Sequence, residues 1–599
     1  MDKLLKRDEI KDQDKWDIKS VYKNIDDYNK DYELVKNNIE KIKNMQDTFL
    51  TNRNTFKEFL LLDSETSRLI EKLYTFAARK NDEDTAITTY QELYGKMNNL
   101  YQHYSEATSF VVPMILETDP TTIIKYIEED ETLKCFKHSI FDILRYKEHS
   151  LTKEEEKIIS AYSKVLGSSS DTADYLMDTD MKFGTIKDEN DEEVELTSSN
   201  YSTLLLSKER RVRKEAFINY HKVYGEFKNT LTSTLAATCE SLSVSSKLRK
   251  FNSSLEASLF DDFIPTSLYD NLITVVHKNL PNLYNYFEIK RKLLKLDEFH
   301  LYDGYVSTIK EIDKKYSFEE AEELVKKALS ILGEEYRQVL NKAFKEGYID
   351  KYPNLNKRSG AYSSGSYDTK PFILLNYTET YNDVSTLAHE LGHSMHSYFS
   401  NQYNSYEESS YPIFLAEIAS TVNELLFSYY MEEQAKTKDE KLSILNERLD
   451  TFKSTVFRQT MFAEFERYIH DLTDKGEVLT ADAICNYYYE LNKLYFGENV
   501  VIDKEVQFEA LRIPHFYTPF YVYKYATGLS IASYIAKNIL NYTPNFKEKY
   551  IEFLKSGGRD YPLEVLKIID IDLSDTKVFD EAMNMFKETL DKFISLNNE

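Results

Sequence analysis

The sequence predicts a mainly α-helical fold with a small β-sheet. Glycine and proline, the two residues that most often interrupt helices, number only 15 and 11 among 599 residues. Apolar residues recur at intervals of three and four along much of the chain, which is the period of a helix with one buried face. Only two short stretches, residues 182–197 and 372–377, have the pattern of β-strands. Together these observations predict long helices around few strands.

The first 200 residues are expected to form a helical region that ends in a β-hairpin. Helical periodicity covers residues 25–46, 54–75 and 84–110. Residues 182–197 contain an acidic turn between two strand-like stretches, which predicts the hairpin. Residues 198–200, Ser-Ser-Asn, are typical N-caps for the helix that follows. We therefore predict an N-terminal region of residues 1–200 and a second region of residues 201–599, which contains the motifs described below.

The second region is expected to begin and end with helices. Residues 215–345 are predicted to be mainly helical. They include a helix over residues 318–332, with Ser317 as its N-cap and Gly333 just past its end. Residues 545–597 are predicted to be helices that close the scaffold.

Residues 389–396, His-Glu-Leu-Gly-His-Ser-Met-His, carry the strongest indication of function. His389 and His393 are four residues apart, so both imidazoles can reach one ion from the same face of a helix. Glu390 follows the first histidine, and its carboxylate would lie beside that ion. This HExxH pattern is typical of zinc-dependent hydrolysis of peptide bonds. The alternative is a core helix whose histidines make ordinary hydrogen bonds.

The surroundings of the motif predict a helix. Asn382 and Asp383 are candidate N-caps. An apolar stripe at helical spacing is formed by Val384, Leu387, Ala388, Leu391, Met395 and Phe399. The histidines fall on a different strip, so one face would be buried while another presents imidazoles. His396 is interpreted as a supporting or structural residue, because a catalytic zinc needs only three protein ligands and one must come from elsewhere.

The third ligand is expected from the next helix, which is predicted over residues 410–433. Glu417 and Glu424 are seven residues apart and therefore share a face of that helix. If residues 401–409 let the helix fold back on the first, Glu417 completes a His-His-Glu site and Glu424 holds a ligating imidazole by its other nitrogen. The alternative is two solvated surface glutamates. The apolar neighbours of Glu417 favour a buried carboxylate, which needs a cation or a donor.

These motifs resemble those of the thimet-oligopeptidase-like zinc metallopeptidases, and most closely of their oligoendopeptidase F members. The resemblance lies in HELGHSMH, in FLAEIASTVNE and in three further blocks that follow the family's order, at residues 16–22, 357–377 and 513–528. It implies that His389, His393 and Glu417 bind one zinc ion. It also implies that Glu390 is the general base, and that the fold is a large helical zincin with a deep central substrate channel.

The block at residues 513–528 is rich in groups that could stabilise a tetrahedral oxyanion. The resemblance implies that His515 and Tyr525 are such donors, with Tyr517 next. The spacing from the histidine to the last tyrosines is shorter than in thimet oligopeptidase, so the choice among the tyrosines stays open. The alternative is an aromatic core segment, in a chain with 47 tyrosines.

A glycine-rich loop at residues 358–367 precedes the second strand-like stretch. It lacks the GxxxxGKS pattern, so phosphate binding is not expected. The resemblance implies a mobile loop in which Tyr362 and Tyr367 contact the substrate, and a flexible linker is the alternative. Residues 372–377 are expected to form an edge strand that can pair with an extended peptide.

Composition limits the partners and the compartment. The net charge of −25 and the pI near 5.1 disfavour nucleic acid and anionic membranes as partners. Cys135, Cys239 and Cys485 are odd in number and far apart, so no disulfide framework is expected. The first residues lack the apolar stretch of a signal peptide, and no later stretch could span a bilayer. We therefore expect a cytoplasmic protein, while its oligomeric state stays undetermined.

The combined expectation is a zinc metalloendopeptidase that hydrolyses internal bonds of short unstructured peptides. Two alternatives remain. One is an enzyme of the same fold that trims single residues or dipeptides from chain ends. The other is a non-catalytic protein that only binds peptides, against which the intact HExxH motif and Glu417 argue.

Overall fold

The computed structural model describes residues 4–309 and 314–599, and within them the chain is mainly helical, as predicted. Helices α1 to α13 span Ile25–Asn44, Arg53–Glu83, Thr88–Thr108, Val111–Glu117, Pro120–Glu128, Lys137–Arg145, Lys153–Leu166, Ser168–Tyr175, Ser198–Leu205, Arg210–Glu226, Lys228–Leu248, Ser254–Phe260 and Thr266–Leu293. Helices α14 to α25 span Phe318–Ala328, Glu334–Lys345, Tyr381–Tyr403, Tyr406–Ser409, Ile413–Gln434, Lys438–Phe452, Arg458–Asp474, Ala481–Phe496, Tyr523–Leu540, Phe546–Lys555, Pro562–Leu566 and Lys577–Asn598. Among the described helices, none is both long enough and apolar enough to cross a bilayer.

The strands in the described residues are short and form small sheets. Strands β1 to β7 span Thr185–Lys187, Glu193–Glu195, Phe299–His300, Ile349–Asp350, Tyr362–Ser364, Phe372–Leu374 and Val500–Val501. Strands β1 and β2 pair antiparallel, which confirms the predicted hairpin. Strands β3 and β7 pair in parallel, and the third sheet has the order β4-β6-β5.

The chain divides into two compact units, each built from three segments. Unit 1 comprises Met1–Ser150, Asp313–Met431 and Ile535–Ile571. Unit 2 comprises Leu151–Ile312, Glu432–Tyr534 and Asp572–Glu599. Residue 200 lies inside unit 2, and the division into residues 1–200 and 201–599 stays a prediction about folding regions.

Strand β6 occupies the centre of the three-stranded sheet in unit 1. All three of its residues, Phe372 to Leu374, are buried, and their neighbours on either side are β4 in parallel and β5 antiparallel. Phe372 and Leu374 belong to a core cluster with Trp16 and with side chains of α1 to α3. The prediction of an edge strand here is therefore wrong, because residues that are apolar on both faces are buried on both faces. The edge of this sheet beside β6 is formed by β5, whose residues are partly exposed.

Side-chain caps decide where the helices of unit 1 begin. Thr380, rather than Asn382 or Asp383, is the N-cap of α16, because its hydroxyl accepts the Asp383 N–H at 3.1 Å while the Asp383 carboxylate accepts the Thr380 N–H at 3.0 Å. Ser317 caps α14, as predicted. The helix predicted over residues 410–433 begins at Ile413, and α17 lies in the connector before it.

Candidate metal centre

Helices α16 and α18 bring three potential ligands together in unit 1. The Nε2 atoms of His389 and His393 lie 3.2 Å apart. Oε2 of Glu417 lies 3.5 Å from each of them. Among the described residues, this is the group of His, Cys, Asp and Glu side chains whose ligand atoms all lie within 4.8 Å of one another. The fold-back of the second helix that the sequence predicts is therefore present.

The spacing of these three atoms fits a tetrahedral metal ion. Ligand bonds of about 2.0 to 2.2 Å around a tetrahedral ion separate neighbouring ligand atoms by roughly 3.3 Å. The observed separations of 3.2 and 3.5 Å lie close to that value. Two imidazole nitrogens and one carboxylate oxygen are a donor set that zinc accepts, and three protein ligands leave a fourth position for water.

A glycine allows the two helices to approach closely. A Cβ atom on Gly392 would lie 2.4 Å from Cα of Ser420 and 2.6 Å from the carbonyl oxygen of Ala419. Glu417 lies one turn before this contact on α18, so the close approach sets its distance from the imidazoles. A glycine inside a helical pattern was the sequence signal for this contact, and sequence reasoning missed it.

Hydrogen bonds hold the helices in register. Nδ2 of Asn423 donates to the carbonyl oxygen of Ala388 at 3.0 Å, and the hydroxyl of Tyr336 donates to Oδ1 of Asn423 at 2.9 Å. Asn423 is completely buried, so these bonds satisfy its amide on both sides. Nothing in the sequence alone pointed to this residue.

Glu424 lies beside Nδ1 of His389, the ring nitrogen that faces away from the other two candidate ligands. Its Oε1 atom is 2.9 Å from Nδ1 of His389, while Nε2 of the same ring faces Glu417. This arrangement keeps Nε2 available as a ligand and fixes the orientation of the ring.

The side chain of Glu417 is 46% exposed, so the expectation that its apolar neighbours bury it is wrong. Those neighbours, such as Leu415 and Ile418, occupy the buried face of α18.

The charges in the cluster shift the pKa values of the two histidines in opposite directions. Burial lowers the pKa of His389, but Glu424 and the other nearby glutamates raise it to about 9. Burial and the neighbouring His389 lower the pKa of His393 to about 4. The site therefore resists two protonated imidazoles and favours a divalent cation in place of protons.

Glu390 lies next to the cluster and outside it. Its side chain is buried, and among the described residues no group forms a hydrogen bond with its Oε2 atom. Burial raises the pKa of Glu390 to about 7, against the attraction of His389. A carboxyl group with a pKa near neutrality can both accept and donate a proton.

The small sheet lies against the motif helix. The backbone of Ser363 on β5 faces Glu390 and opposes the rise of its pKa. The Ser363 hydroxyl also lies 2.8 Å from that of Ser394 on α16. Strand β5 is thus bonded to the motif helix, a contact that sequence reasoning missed.

Three predicted supporting residues have partners within unit 1. The ring of His396 is buried and stacks on Tyr411 at a centroid distance of 3.7 Å, away from the ligand atoms. Tyr362 donates its hydroxyl to Asp82 at 2.5 Å, and Tyr367 donates to the carbonyl oxygen of Asn404 at 2.9 Å. The packing of His396 fits its structural interpretation, and the substrate contacts of the two tyrosines stay predictions.

The residues of the block at 513–528 belong to unit 2. His515 and Tyr517 lie in a 3₁₀ helix, Pro514–Tyr517, and Tyr525 lies in the first turn of α22. The rings of His515 and Tyr525 are 6.0 Å apart, and Tyr521 lies 5.4 Å from Tyr525. The hydroxyl of Tyr517 lies 2.7 Å from that of Thr234, so it already has a protein partner.

A buried glutamate supports this segment. Oε1 of Glu466 accepts the backbone N–H of Phe520 at 3.0 Å, and Phe520 has a positive φ of 56°. Burial raises the pKa of Glu466 well above its usual range. The bond stabilises an unfavourable backbone conformation between His515 and Tyr525. In the sequence, Glu466 is one acidic residue within a helical pattern, so its bond to the backbone of Phe520 could not be predicted.

Comparisons with known proteins agree with this geometry. The sequence model of Peptidase family M3 matches residues 203–585, and that of Oligopeptidase F matches residues 115–183. Oligopeptidase PepF of Bacillus subtilis is 40% identical over 98% of this chain and 88% of its own length. The oligoendopeptidase F homolog of Lactococcus lactis is 36% identical over 98% of both.

Solved structures give the same result. Oligoendopeptidase-F from Enterococcus faecium superposes with a TM-score of 0.75 at 35% identity, covering 96% of this chain and 99% of that one. A solved protein of Chlamydophila abortus superposes with a TM-score of 0.93 at 36% identity, covering 99% of this chain and all of that one. The chain therefore belongs to peptidase family M3, is of the oligoendopeptidase F type, and is a metallo-oligopeptidase that acts on peptides.

Proposed function

We propose that this protein is a zinc-dependent oligoendopeptidase that hydrolyses internal bonds of short unstructured peptides. The observation that carries the proposal is the triangle of ligand atoms from His389, His393 and Glu417, with sides of 3.2 to 3.5 Å, next to the buried Glu390. Three ligands of this kind favour one zinc ion per chain.

The three ligands would hold the ion, and Glu424 would keep His389 in the orientation in which Nε2 is the ligand nitrogen. Zinc bound here supplies Lewis acidity, which polarises the scissile carbonyl and lowers the pKa of water. The protein supplies the shape of the site. The Gly392 contact and the Asn423 hydrogen bonds keep the ligand atoms at their spacing.

Glu390 moves the protons of the reaction. As general base, its carboxylate takes a proton from the attacking water, and it then gives that proton to the departing amine. Burial supports both steps, because it brings the pKa of Glu390 to about 7.

His515 and Tyr525 are proposed to donate hydrogen bonds to the oxyanion of the tetrahedral state, and Tyr517 is a weaker candidate because its hydroxyl is already bonded to Thr234. These assignments rest on the family resemblance of the block in which they lie. The restriction to short peptides follows the names of the relatives, which are oligopeptidases and oligoendopeptidases.

The first test removes and restores the metal. Treatment with a chelator is expected to abolish cleavage of an internally quenched peptide, and one equivalent of Zn²⁺ is expected to restore it. Restoration by Mn²⁺ or Co²⁺ but not by Zn²⁺ would contradict the choice of metal. Unchanged cleavage after complete metal removal would contradict metal-dependent hydrolysis.

The second test separates binding from proton transfer. Glu390→Gln is expected to retain zinc but to lose about 10²- to 10⁴-fold or more in kcat. Metal content and turnover are measured on the same sample, and Glu433→Gln, an exposed change on α18, is the control. Near-normal turnover of Glu390→Gln would remove the general-base assignment.

The third test concerns the position of the cut. A peptide blocked at both ends is expected to yield internal fragments, identified by mass. Cleavage only of unblocked peptides, one or two residues from an end, would indicate an exopeptidase. Binding without any cleavage by the zinc-loaded protein would indicate a peptide-binding protein.

A further inference from the structure

Helix α2 carries a buried charge, Arg79, where it meets strand β5 in unit 1. Arg79 is only 5% exposed. Its guanidinium lies 4.8 Å from the ring centroid of Tyr362 on β5 and 5.9 Å from that of Trp16. Burying a guanidinium costs free energy unless other groups compensate its charge and its donors. The partners of Arg79 therefore indicate what this charge does.

The guanidinium of Arg79 is hydrogen-bonded to the strand. Its Nη1 atom donates to the carbonyl oxygen of Ser364, the last residue of β5, at 3.2 Å. The carboxylate of Asp82 lies 3.9 Å from Nε of Arg79, which is too far for a hydrogen bond. Asp82 instead accepts the hydroxyl of Tyr362 at 2.5 Å. Arg79 and Asp82 thus both bind β5, one at its backbone and the other at a side chain.

Strand β5 depends on such contacts because it lies at the edge of its sheet. It pairs with β6 on one side, and among the described strands none pairs with its other side. An edge strand makes fewer backbone hydrogen bonds within its sheet than a central strand does. Helix α2 also holds the chain just before β5, since the backbone N–H of Arg358 donates to the carbonyl oxygen of Asp82 at 3.0 Å.

The position of β5 matters to the metal centre through Ser363. The backbone of Ser363 faces Glu390, and its hydroxyl lies 2.8 Å from that of Ser394 on α16. Ser363 and Ser364 are joined by a rigid peptide unit, so a displacement of one moves the other. One residue therefore separates the bond made by Arg79 from the surroundings of Glu390.

We propose that Arg79 is a positioning residue for peptide hydrolysis, which holds β5 in the place where Ser363 meets Glu390. The inference rests on the proposed function, in which Glu390 is the general base. A proton-transferring group reacts efficiently only when the residues around it fix its geometry, and a misplacement of about 1 Å costs on the order of a hundredfold in rate. Loss of Arg79 is therefore expected to lower turnover while the zinc ligands stay occupied.

Arg79→Met and Arg79→Lys test this in the full-length, zinc-loaded protein. Methionine keeps apolar packing between the two rings but cannot donate to Ser364, so kcat is expected to fall about ten- to a hundredfold while KM changes by less than about twofold. Lysine keeps the charge and a donor but lacks the planar fork, so it is expected to restore part of kcat. Zinc content and thermal unfolding are measured on the same samples.

Arg68→Met is the matched control. Arg68 lies on the same face of α2, about three helical turns before Arg79. Its guanidinium also lies over two aromatic rings, those of Tyr367 at 4.9 Å and Tyr406 at 5.9 Å. It also forms an ion pair, with Asp368 at 2.6 Å. Because Arg68 has no hydrogen bond to β5 within the described part of the chain, wild-type kcat is expected for this variant.

A double-mutant cycle separates positioning from a loss of stability. When Arg79→Met is combined with Glu390→Gln, it is expected to lower the residual turnover by less than about twofold, because no base remains to be positioned. A change that only unfolds part of the protein lowers turnover by the same factor with and without Glu390. If Arg79→Met does not fold, Arg79→Lys takes its place in the cycle.

The inference is overturned if folded, zinc-loaded Arg79→Met keeps the wild-type kcat, or if its loss is equal in the two backgrounds. It is also overturned if Arg68→Met loses as much turnover as Arg79→Met. Near-normal turnover of Glu390→Gln alone, or a wild type that cleaves no peptide, would instead contradict the proposed function.

Discussion

The metal cluster in unit 1 and the His515–Tyr525 segment in unit 2 present their polar side chains in two different ways. His389, His393 and Glu417 project from regular helices, and their spacing follows from the helical repeat and one interhelical contact. The segment from His515 to Tyr525 runs through a 3₁₀ helix, a residue with positive φ and the first turn of α22. Its geometry depends on support from elsewhere in the unit.

The difference shows what each kind of site tolerates. A site on packed helices is sensitive to changes at the contact between the helices, because the backbone itself sets the ligand distances. A site on an irregular segment is sensitive to the side chains that satisfy its backbone, such as Glu466 at Phe520. Five substitutions test this contrast.

The largest effect is expected for Tyr525→Phe. Tyr525 is a proposed oxyanion donor, and removal of one such donor costs about 10²- to 10³-fold in kcat. Tyr517→Phe is expected to cost much less, because the Tyr517 hydroxyl is engaged with Thr234. Steady-state kinetics on one quenched peptide compares them, and an equal or larger loss for Tyr517→Phe would reverse the assignment.

Gly392→Ala is expected to disturb the helical site next most strongly. The new methyl group would lie 2.4 Å from Cα of Ser420, which forces the helices apart and moves Glu417. A displacement of this kind is expected to cost about a hundredfold in kcat/KM, and overpacking about 1 to 3 kcal/mol of unfolding free energy. Kinetics and thermal unfolding measure both, and Gly95→Ala, with no atom within 4 Å of the added methyl, is the control. Wild-type activity in Gly392→Ala would contradict the role of the contact.

Glu424→Gln tests the orientation of His389. The amide lacks the negative charge that the carboxylate places 2.9 Å from Nδ1 of His389. We expect the affinity for zinc to fall by about 10- to 100-fold, measured by competition with a chelator. Affinity equal to that of Glu433→Gln, the exposed change on the same helix, would show that Glu424 has no such role.

Glu466→Gln is expected to have the smallest effect on turnover, because its amide oxygen can still accept the Phe520 N–H. Burial raises the pKa of Glu466 in the folded protein above its unfolded value, so the folded protein keeps a proton that the unfolded chain releases. The free energy of unfolding contributed by this group is therefore present at low pH and is lost as pH rises from the unfolded pKa toward the folded one. The variant should gain thermal stability over the wild type as pH rises, and a pH-independent difference would contradict a protonated Glu466.

Much of the helical site could be predicted from the sequence. The spacing of His389, Glu390 and His393 and the phase of Glu417 and Glu424 follow from the helical period, which is local information. Gly392, Asn423 and Ser363 could not be predicted in their roles, because each acts on an element that is distant along the chain. The exposure of Glu417 was misjudged because apolar neighbours in sequence lie on another face of the helix.

The β-sheet shows the same limit. Residues 372–374 were recognised as a strand, yet their central place in the sheet follows from pairing with β4 and β5, which start 23 and 10 residues earlier. The strands with which a given strand pairs depend on packing over the whole unit. The composition of the strand itself only limits which positions in a sheet it can occupy.

The sequence by itself predicted the class of fold, the three candidate ligands and the glutamate beside them, because the helical period within each of two neighbouring helices places these residues. Tertiary structure alone decided the distance between α16 and α18 and the contact of β5 with α16. The physical reason is that hydrogen-bond satisfaction and close packing depend on atoms brought together from distant parts of the chain.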